Sequence, residues 1–486
     1  MANVRISNEP EVERPHEGEI TRREAIAGGA ALIAAASVGT QVMAATGART
    51  PLAQAAQEIA ARARNKPGYG PLVTKSAGMK LPEGFHAVKF GAAGERMSDG
   101  LKTPRNPDGT GVFRVGNGRV RLLINRENAG IGRSLAGKNS YDPTAKGGVT
   151  STIFDTRSGK VVESGLVLNG TDNNCNGGAT PWGSWLSCEE STVGKRKGFK
   201  REHGYVFEVP AKANGPIDPV PIKDMGRFEH EACAIDPRSG IVYMTEDNGE
   251  PGDGFYRYLP NDTRRLHKGG RLQMLAVEGR SKYNTVHGQK VGKKLKCEWV
   301  DIWDPDPDDA EHHPEAVYLQ GRALGAARFK GLEGCHFGRG SVYLVASEAG
   351  NARRGQIWRY TPKKNIDHGV LELLFESHDR KVLDEPDSLT VSPRGGVVVC
   401  EDGDGEDLDG GTNYIRCLNP DGKLTTFAKN VTPLDLHHYE GEDKGTFGVS
   451  EYTGASYSPD GKWLFVHIQI PGQSFAITGP WQKGWM

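Results

Sequence analysis

From Leu81 onward the chain is a succession of short apolar runs, many of them alternating, broken by Gly, Pro, Asp and Asn. That pattern predicts short β-strands joined by tight turns. One unit recurs: a turn ending in Gly, an apolar run, then an acidic residue six positions after the Gly. Gly183 leads through SWLSC to Glu189-Glu190, Gly240 through IVYMT to Glu246-Asp247, and Gly395 through GVVVC to Glu401-Asp402. Two copies deviate, with Gly340 leading to Ala346 and Gly461 to His467. A strand opened by an acid precedes several of these turns, at Glu231, Glu333, Asp387 and Glu451, and aromatic strands at 205–208, 255–258 and 357–360 follow others. Strand, tight turn, strand and aromatic outer strand make the texture of a propeller blade. With an earlier copy at 118–127, about six blades are expected. The expected fold is therefore an all-β β-propeller with loop and short-helix insertions, a single domain over 81–486 preceded by a linker or short helix at 47–80. A β-sandwich with insertions is the rival, and it would not require acids to recur at strand ends.

In a propeller, equivalent positions of different blades converge on one axis. Glu189, Glu231, Glu246, Glu333, Glu401 and Glu451 would then meet. Carboxylates brought together repel and lose hydration, and multivalent cations such as calcium relieve both costs. Cys188 stands beside Glu189-Glu190, and its thiolate points to a softer metal, iron or zinc. Residues 171–190 are thus expected to feed a mixed metal site. Blander readings hold elsewhere: Cys233 and Cys335 as small core fillers, 304–309 and 403–411 as solvated acidic loops, and His312-His313 and His437-His438 as loop histidines. No Gly-rich phosphate loop, His-Glu-x-x-His pair or Gly-x-Ser-x-Gly elbow is present.

The 61 basic and 61 acidic residues balance, which gives no support for nucleic-acid binding. Near the N-terminus, Thr21-Arg22-Arg23-Glu24 precedes a mildly apolar Ala/Gly-rich run at 25–45, the pattern of a twin-arginine export signal. Residues 1–46 are expected to be removed, leaving a soluble mature protein without a stable membrane span. Export by that route moves folded proteins, consistent with a metal loaded beforehand. The seven cysteines (175, 188, 233, 297, 335, 400, 417) are odd in number and scattered, which argues against a dense disulfide framework.

The segments GTDNNCNGGATPWGSWLSCEES, MGRFEHEACAIDPRSGIVYMTED, LEGCHFG, SPRGGVVVCEDG and SEYTGASYSPDGKWLFVHIQIPGQSFAITGPW resemble the PhoX-type alkaline phosphatases. The resemblance runs from about Leu81 to Trp481. It implies a six-bladed propeller, twin-arginine export to the periplasm or beyond, and phosphomonoester hydrolysis at iron and calcium ions. It places the iron-ligating cysteine on Cys188 and metal carboxylates on Glu189, Glu231, Glu333 and Glu401, with Glu246, Asp247 and Asp253 in the matching acidic stretch. Cys188, Glu189, Glu231 and Glu333 are the expected catalytic set, and Asn125, Arg126 and Arg328 the expected substrate contacts. Small-molecule phosphoesters and the twin-arginine translocation machinery are the implied partners, and a monomer the expected state.

The sequence also departs from the family pattern. An expected Arg two residues before Glu333 is Gly331, flanked by Arg328 and Lys330; in this strand Lys330 and residue 331 would point to opposite faces. The family's Asn-His-Glu reads Asn125-Arg126-Glu127, and its His-Asp-Gly reads Pro107-Asp108-Gly109. Two functions follow: an exported metal-dependent phosphomonoesterase, or a metal-stabilised propeller that binds a ligand or hydrolyses something else. On the second, restoring Arg at 331 should create phosphatase activity or tighten phosphate. A third possibility is that calcium serves only to close the propeller.

Overall fold

The computed structural model of the protein describes residues 68–403, 413–432 and 450–486. The expected export segment, the expected linker up to 67, nearly all of the acidic stretch 403–411 and His437-His438 lie outside the described residues. Among the described residues six strands line a central channel: Pro107–Gly116, Asn174–Ala179, His230–Ile235, Leu332–Gly338, Pro386–Val391 and Tyr452–Tyr457. Each packs beside the next and the last returns to the first, closing a ring. From each, antiparallel strands step outward, as in Asn174–Ala179, Ser184–Glu189 and Val206–Pro210. This is a β-propeller.

Two neighbouring blades share one nine-stranded sheet because Lys294–Asp301 pairs with Gly369–Glu376. The sheet of Tyr452–Tyr457 is completed by His86–Phe90, which pairs with Gln473–Thr478, so segments far apart in the chain fasten the ring. The fold also begins earlier than the expected boundary at 81. Leu72–Ser76 and Met79–Pro82 form a hairpin that extends another sheet through Leu424–Asn430. Met79 and Leu81, two apart on one strand face, are fully buried, and their burial draws a segment read as linker into the sheet. The insertions include one short helix, Ala316–Ala323. Among the described residues no helix is long and apolar enough to cross a membrane. All seven cysteines are buried and unbridged, with Cys233 and Cys335 in hydrophobic clusters.

Aromatic packing secures the closure. Trp481 lies 4.7 Å from Phe85 and 5.3 Å from Phe427, ring centre to ring centre, and the Tyr69 hydroxyl donates to the Trp481 carbonyl at 2.9 Å. Trp481→Ala should cost about 3–5 kcal/mol, read as a lowered denaturant midpoint. A loss below about 1 kcal/mol, the size of an ordinary single substitution, would show that this cluster does not hold the closure.

Candidate metal centre and active site

Every channel strand carries a β-bulge near its start, where its pairing with the second strand slips: between Pro107 and Thr110, Asn174 and Gly177, His230 and Cys233, Leu332 and Cys335, Pro386 and Leu389, and Thr453 and Ser456. Bulges re-aim side chains at strand ends. In five blades the second residue of the channel strand reaches the channel: Asp108, Cys175, Glu231, Glu333 and Asp387. The sixth contributes Glu451, just ahead of its strand. From the second strands, the residue just after the strand end joins them: Glu127, Glu190, Asp247, Ser347 and Asp402. Together with Glu348 and Glu385 they enclose a cavity of about 240 Å³. Among the described residues no Lys or Arg lines it.

Ligand-capable atoms of Asp108, Glu127 and Cys175 lie within 4.8 Å of one another, as do those of Cys175, Glu190 and Glu231, and those of Glu231, Glu333 and Asp387. Cys175 and Glu231 are each shared by two of these groups, so the sites form a continuous chain. Both carboxylate oxygens of Glu231, and Oδ1 of Asp108, are buried without a hydrogen-bond partner. Burial, reinforced by neighbouring acids, raises Asp108, Glu190, Glu231, Glu333 and Glu451 well above the usual carboxylate range. Burial lifts Glu127 to about 7 and Asp387 to about 6, and burial with Glu348 lifts Asp247 to about 6. Burial and the surrounding carboxylates push the Cys175 thiol up as well. Orphaned oxygens and mutually repelling acids are what bound cations would satisfy, so this donor set fits metal ions.

The Cys175 segment is held from behind. Asn125 Nδ2 donates to the carbonyls of Cys175 and Asn176 at 3.0 and 2.7 Å, while its Oδ1 accepts from Trp185 Nε1 and Ser187 Oγ at 2.8 and 2.9 Å. Gly177 and Gly178 have no space for a side chain: a Cβ would lie 1.9 Å from the Leu186 carbonyl oxygen or 2.3 Å from that of Cys233. The sequence NCNGG is therefore a tightly fitted thiol-presenting bulge.

The profile of the alkaline phosphatase PhoX family matches residues 156–472. The chain belongs to that family. It is thereby a member of a metal-dependent, alkaline phosphatase-type family of hydrolases acting on phosphoesters. No curated protein matches it significantly. Among solved structures, it is similar to a luciferin-regenerating enzyme (10% identity, 82% of this chain and 96% of that one, TM-score 0.41). It is also similar to a candidate gluconolactonase (10% identity, 82% and 93% covered, TM-score 0.38). A candidate 6-phosphogluconolactonase from Bacteroides uniformis gives 12% identity, 76% and 78% covered, and a TM-score of 0.36.

The structure divides the expected site residues between the channel and the blades. Of the expected metal residues, Glu231, Glu333, Asp247 and Glu451 line the cavity, whereas Cys188, Glu189, Glu246, Asp253 and Glu401 do not. Cys188 sits in a hydrophobic cluster with its sulfur 3.3 Å from that of Cys233. The thiol that lines the cavity is that of Cys175. Glu189, Glu246 and Glu401 are the last residues of their strands, and adjacent residues of an extended chain face opposite ways. Their successors therefore face the channel, while they are consumed by the blade itself. Glu189 accepts from His203 Nδ1 at 2.7 Å and from the amides of Asp172, Gly204 and Tyr205. Glu246 accepts from the Tyr256 hydroxyl at 2.7 Å and the Gly254 amide at 2.8 Å. Glu401 pairs with Arg416 Nε at 2.7 Å, and Asp253 accepts from the Asn248 and Leu332 amides.

The expected substrate contacts also move. Asn125 is a positioning residue for Cys175, Arg126 lies outside the cavity lining, and Arg328 pairs with Glu250 at 3.4 Å. Arg354 and Lys330 pair with acids of the lining: Arg354 lies 2.8 Å from Glu385, and Lys330 lies 3.4 Å from exposed Glu348 and 3.6 Å from Glu250. Gly331 precedes the strand that starts at Leu332, with φ at +59° and a Cβ position 2.3 Å from Ser347 Oγ and 3.0 Å from the Glu348 nitrogen. An arginine at this position is therefore strained, not restored. Gly331→Arg should destabilise the protein by about 1–3 kcal/mol without creating or raising phosphatase activity. A gain in turnover at unchanged melting temperature would contradict that reading.

Proposed function

We propose that this protein is a phosphomonoesterase that works with iron and calcium ions held by the channel acids and Cys175. The sharing of one thiol between two acidic groups, beside a carboxylate with both oxygens unpartnered, carries the reading. Cys175 with Asp108, Glu127, Glu190 and Glu231 would hold the softer metal, and Glu231 with Glu333 and Asp387 an oxygen-seeking ion such as calcium. Bound ions supply positive charge against the phosphoryl oxygens. The chain's own part is to fix the donors on bulged strand ends, to keep Cys175 in place through Asn125, and to offer Lys330 and Arg354, each paired with an acid of the lining, as counter-charges for an incoming phosphate. Turnover of a generic phosphomonoester at alkaline pH, abolished by calcium chelation and regained on readdition, tests the reading. A protein loaded with iron and calcium that turns over none of a varied set of phosphoesters overturns it.

The absence of Lys and Arg from the cavity lining favours one alternative, a family member acting on another substrate or only binding a ligand. The same substrate panel separates the two. Export by the twin-arginine route to the periplasm or beyond, as a monomer, is proposed from Arg22-Arg23 and the apolar run behind them.

A further inference from the structure

Arg126 occupies the place in its blade that Glu189, Glu246 and Glu401 occupy in theirs: the last residue of the second strand, paired across to the first residue of the channel strand. Glu189 and Glu401 accept from donors on both oxygens, and Glu246 on one. Among the described residues Arg126 meets only neutral partners. The side chain is 2% exposed. Its Nε donates to Thr150 Oγ1 at 3.0 Å and its Nη1 to the Pro104 carbonyl at 3.1 Å, both neutral acceptors. Among the described residues no carboxylate pairs with it and no protein acceptor meets Nη2. Burial alone lowers its pKa, to about 9, so the guanidinium stays charged at neutral pH. A buried charge without a counter-ion is costly.

The guanidinium borders a groove between two neighbouring blades that encloses about 640 Å³. Lys89, Arg96 and Lys160 are exposed along this groove, and the hydroxyl-bearing Thr152 and Ser474 also line it. Its one carboxylate, Glu95, already accepts from the Ala92 amide at 3.0 Å. Behind Ser474, His467 is held between Ser474 Oγ at 2.9 Å and Thr110 Oγ1 at 2.6 Å. Burial and the nearby Arg126 keep that ring neutral, so it neither repels nor balances the guanidinium.

We propose that this groove, separate from the acid-lined channel, is a binding site for a small tetrahedral oxyanion of the phosphate class, seated on the free edge of Arg126. Four cations against one engaged carboxylate suit a doubly charged ligand better than a singly charged one. Planar guanidinium donors together with hydroxyls match several oxygens at once. The inference does not depend on the phosphatase reading, because Glu127 faces the channel while Arg126, its neighbour, faces the groove.

The test is calorimetric titration of the full-length, metal-loaded protein with inorganic phosphate at constant ionic strength. The wild type should bind one phosphate more than Arg126→Gln, with sulfate competing for that site and acetate failing at equal concentration. Equal stoichiometry in the two proteins overturns the proposal, and acetate competing as well as sulfate overturns the assignment to tetrahedral oxyanions. Should Arg126→Gln not fold, the exposed pair Lys89→Glu and Lys160→Glu decides. Affinity at that site should fall about tenfold or more, as for lost charge-assisted contacts, and unchanged affinity overturns the proposal.

Discussion

Cys175→Ser should lose phosphomonoesterase turnover by more than about 100-fold, beyond the effect of disturbing a ligand's supporting partner, and its iron content should fall with it. Cys188→Ala should keep both turnover and iron within about a factor of two, at a stability cost of about 1 kcal/mol for a small core change. The contrast follows from placement. Cys175 offers its sulfur to two acidic groups at once, whereas Cys188 is spent on packing beside Cys233. Turnover and elemental analysis on the same preparations check it. The reverse outcome, with iron lost from the Cys188 variant and kept by the Cys175 variant, would sink the assignment.

Removing metal should leave a fold that weakens as pH rises. Glu127, Asp247 and Asp387 have folded-state pKa values of about 7, 6 and 6, above the ordinary carboxylate range. The native state therefore binds more protons than the unfolded chain between about pH 4 and 7. Stability of the metal-free protein is then fullest below about pH 4 as far as these groups are concerned, and is lost as pH rises through 6 to 7, by about 1.4 kcal/mol for each pKa unit of each group. Cations reverse the repulsion, so the rise in melting temperature on adding calcium should be small at pH 5 and large at pH 8. His203, which Glu189 and Asp142 raise to about 10 against the pull of burial, also favours low pH. It does not line the cavity, so its contribution should not respond to calcium. A calcium effect independent of pH would contradict the repulsion account, and no calcium effect at all would contradict binding in the channel.

How much of this was legible in the sequence depends on what each residue does locally. The propeller was readable because Gly turns, apolar runs and acidic strand ends recur. Glu231, Glu333 and Glu451 were readable because each stands at a strand opening, and Asp387, at the same place in its blade, shows that the pattern applied more widely than the expected set. The displacement of Glu189, Glu246 and Glu401 from the channel has one physical origin, parity. Three strands end in two acids or an acid pair, and the sequence does not say which member lies inside the last pairing and which lies just beyond it. The outer member, Glu190, Asp247 or Asp402, faces the channel. Cys175 was hidden because a bulge, invisible to alternation counting, re-aims it. A signal did exist: Asn-Cys-Asn-Gly-Gly places a thiol directly before glycines that only a close backbone approach requires. Arg126 is the same lesson reversed, since its neighbour Glu127 takes the inward position.

The most direct measurement is element-specific anomalous diffraction from crystals of protein purified from its native host, with data on both sides of the iron edge and at a wavelength sensitive to calcium. Iron should lie within bonding distance of Cys175 and calcium among Glu231, Glu333 and Asp387. Metal peaks beside Cys188, or a channel without any, would contradict the account.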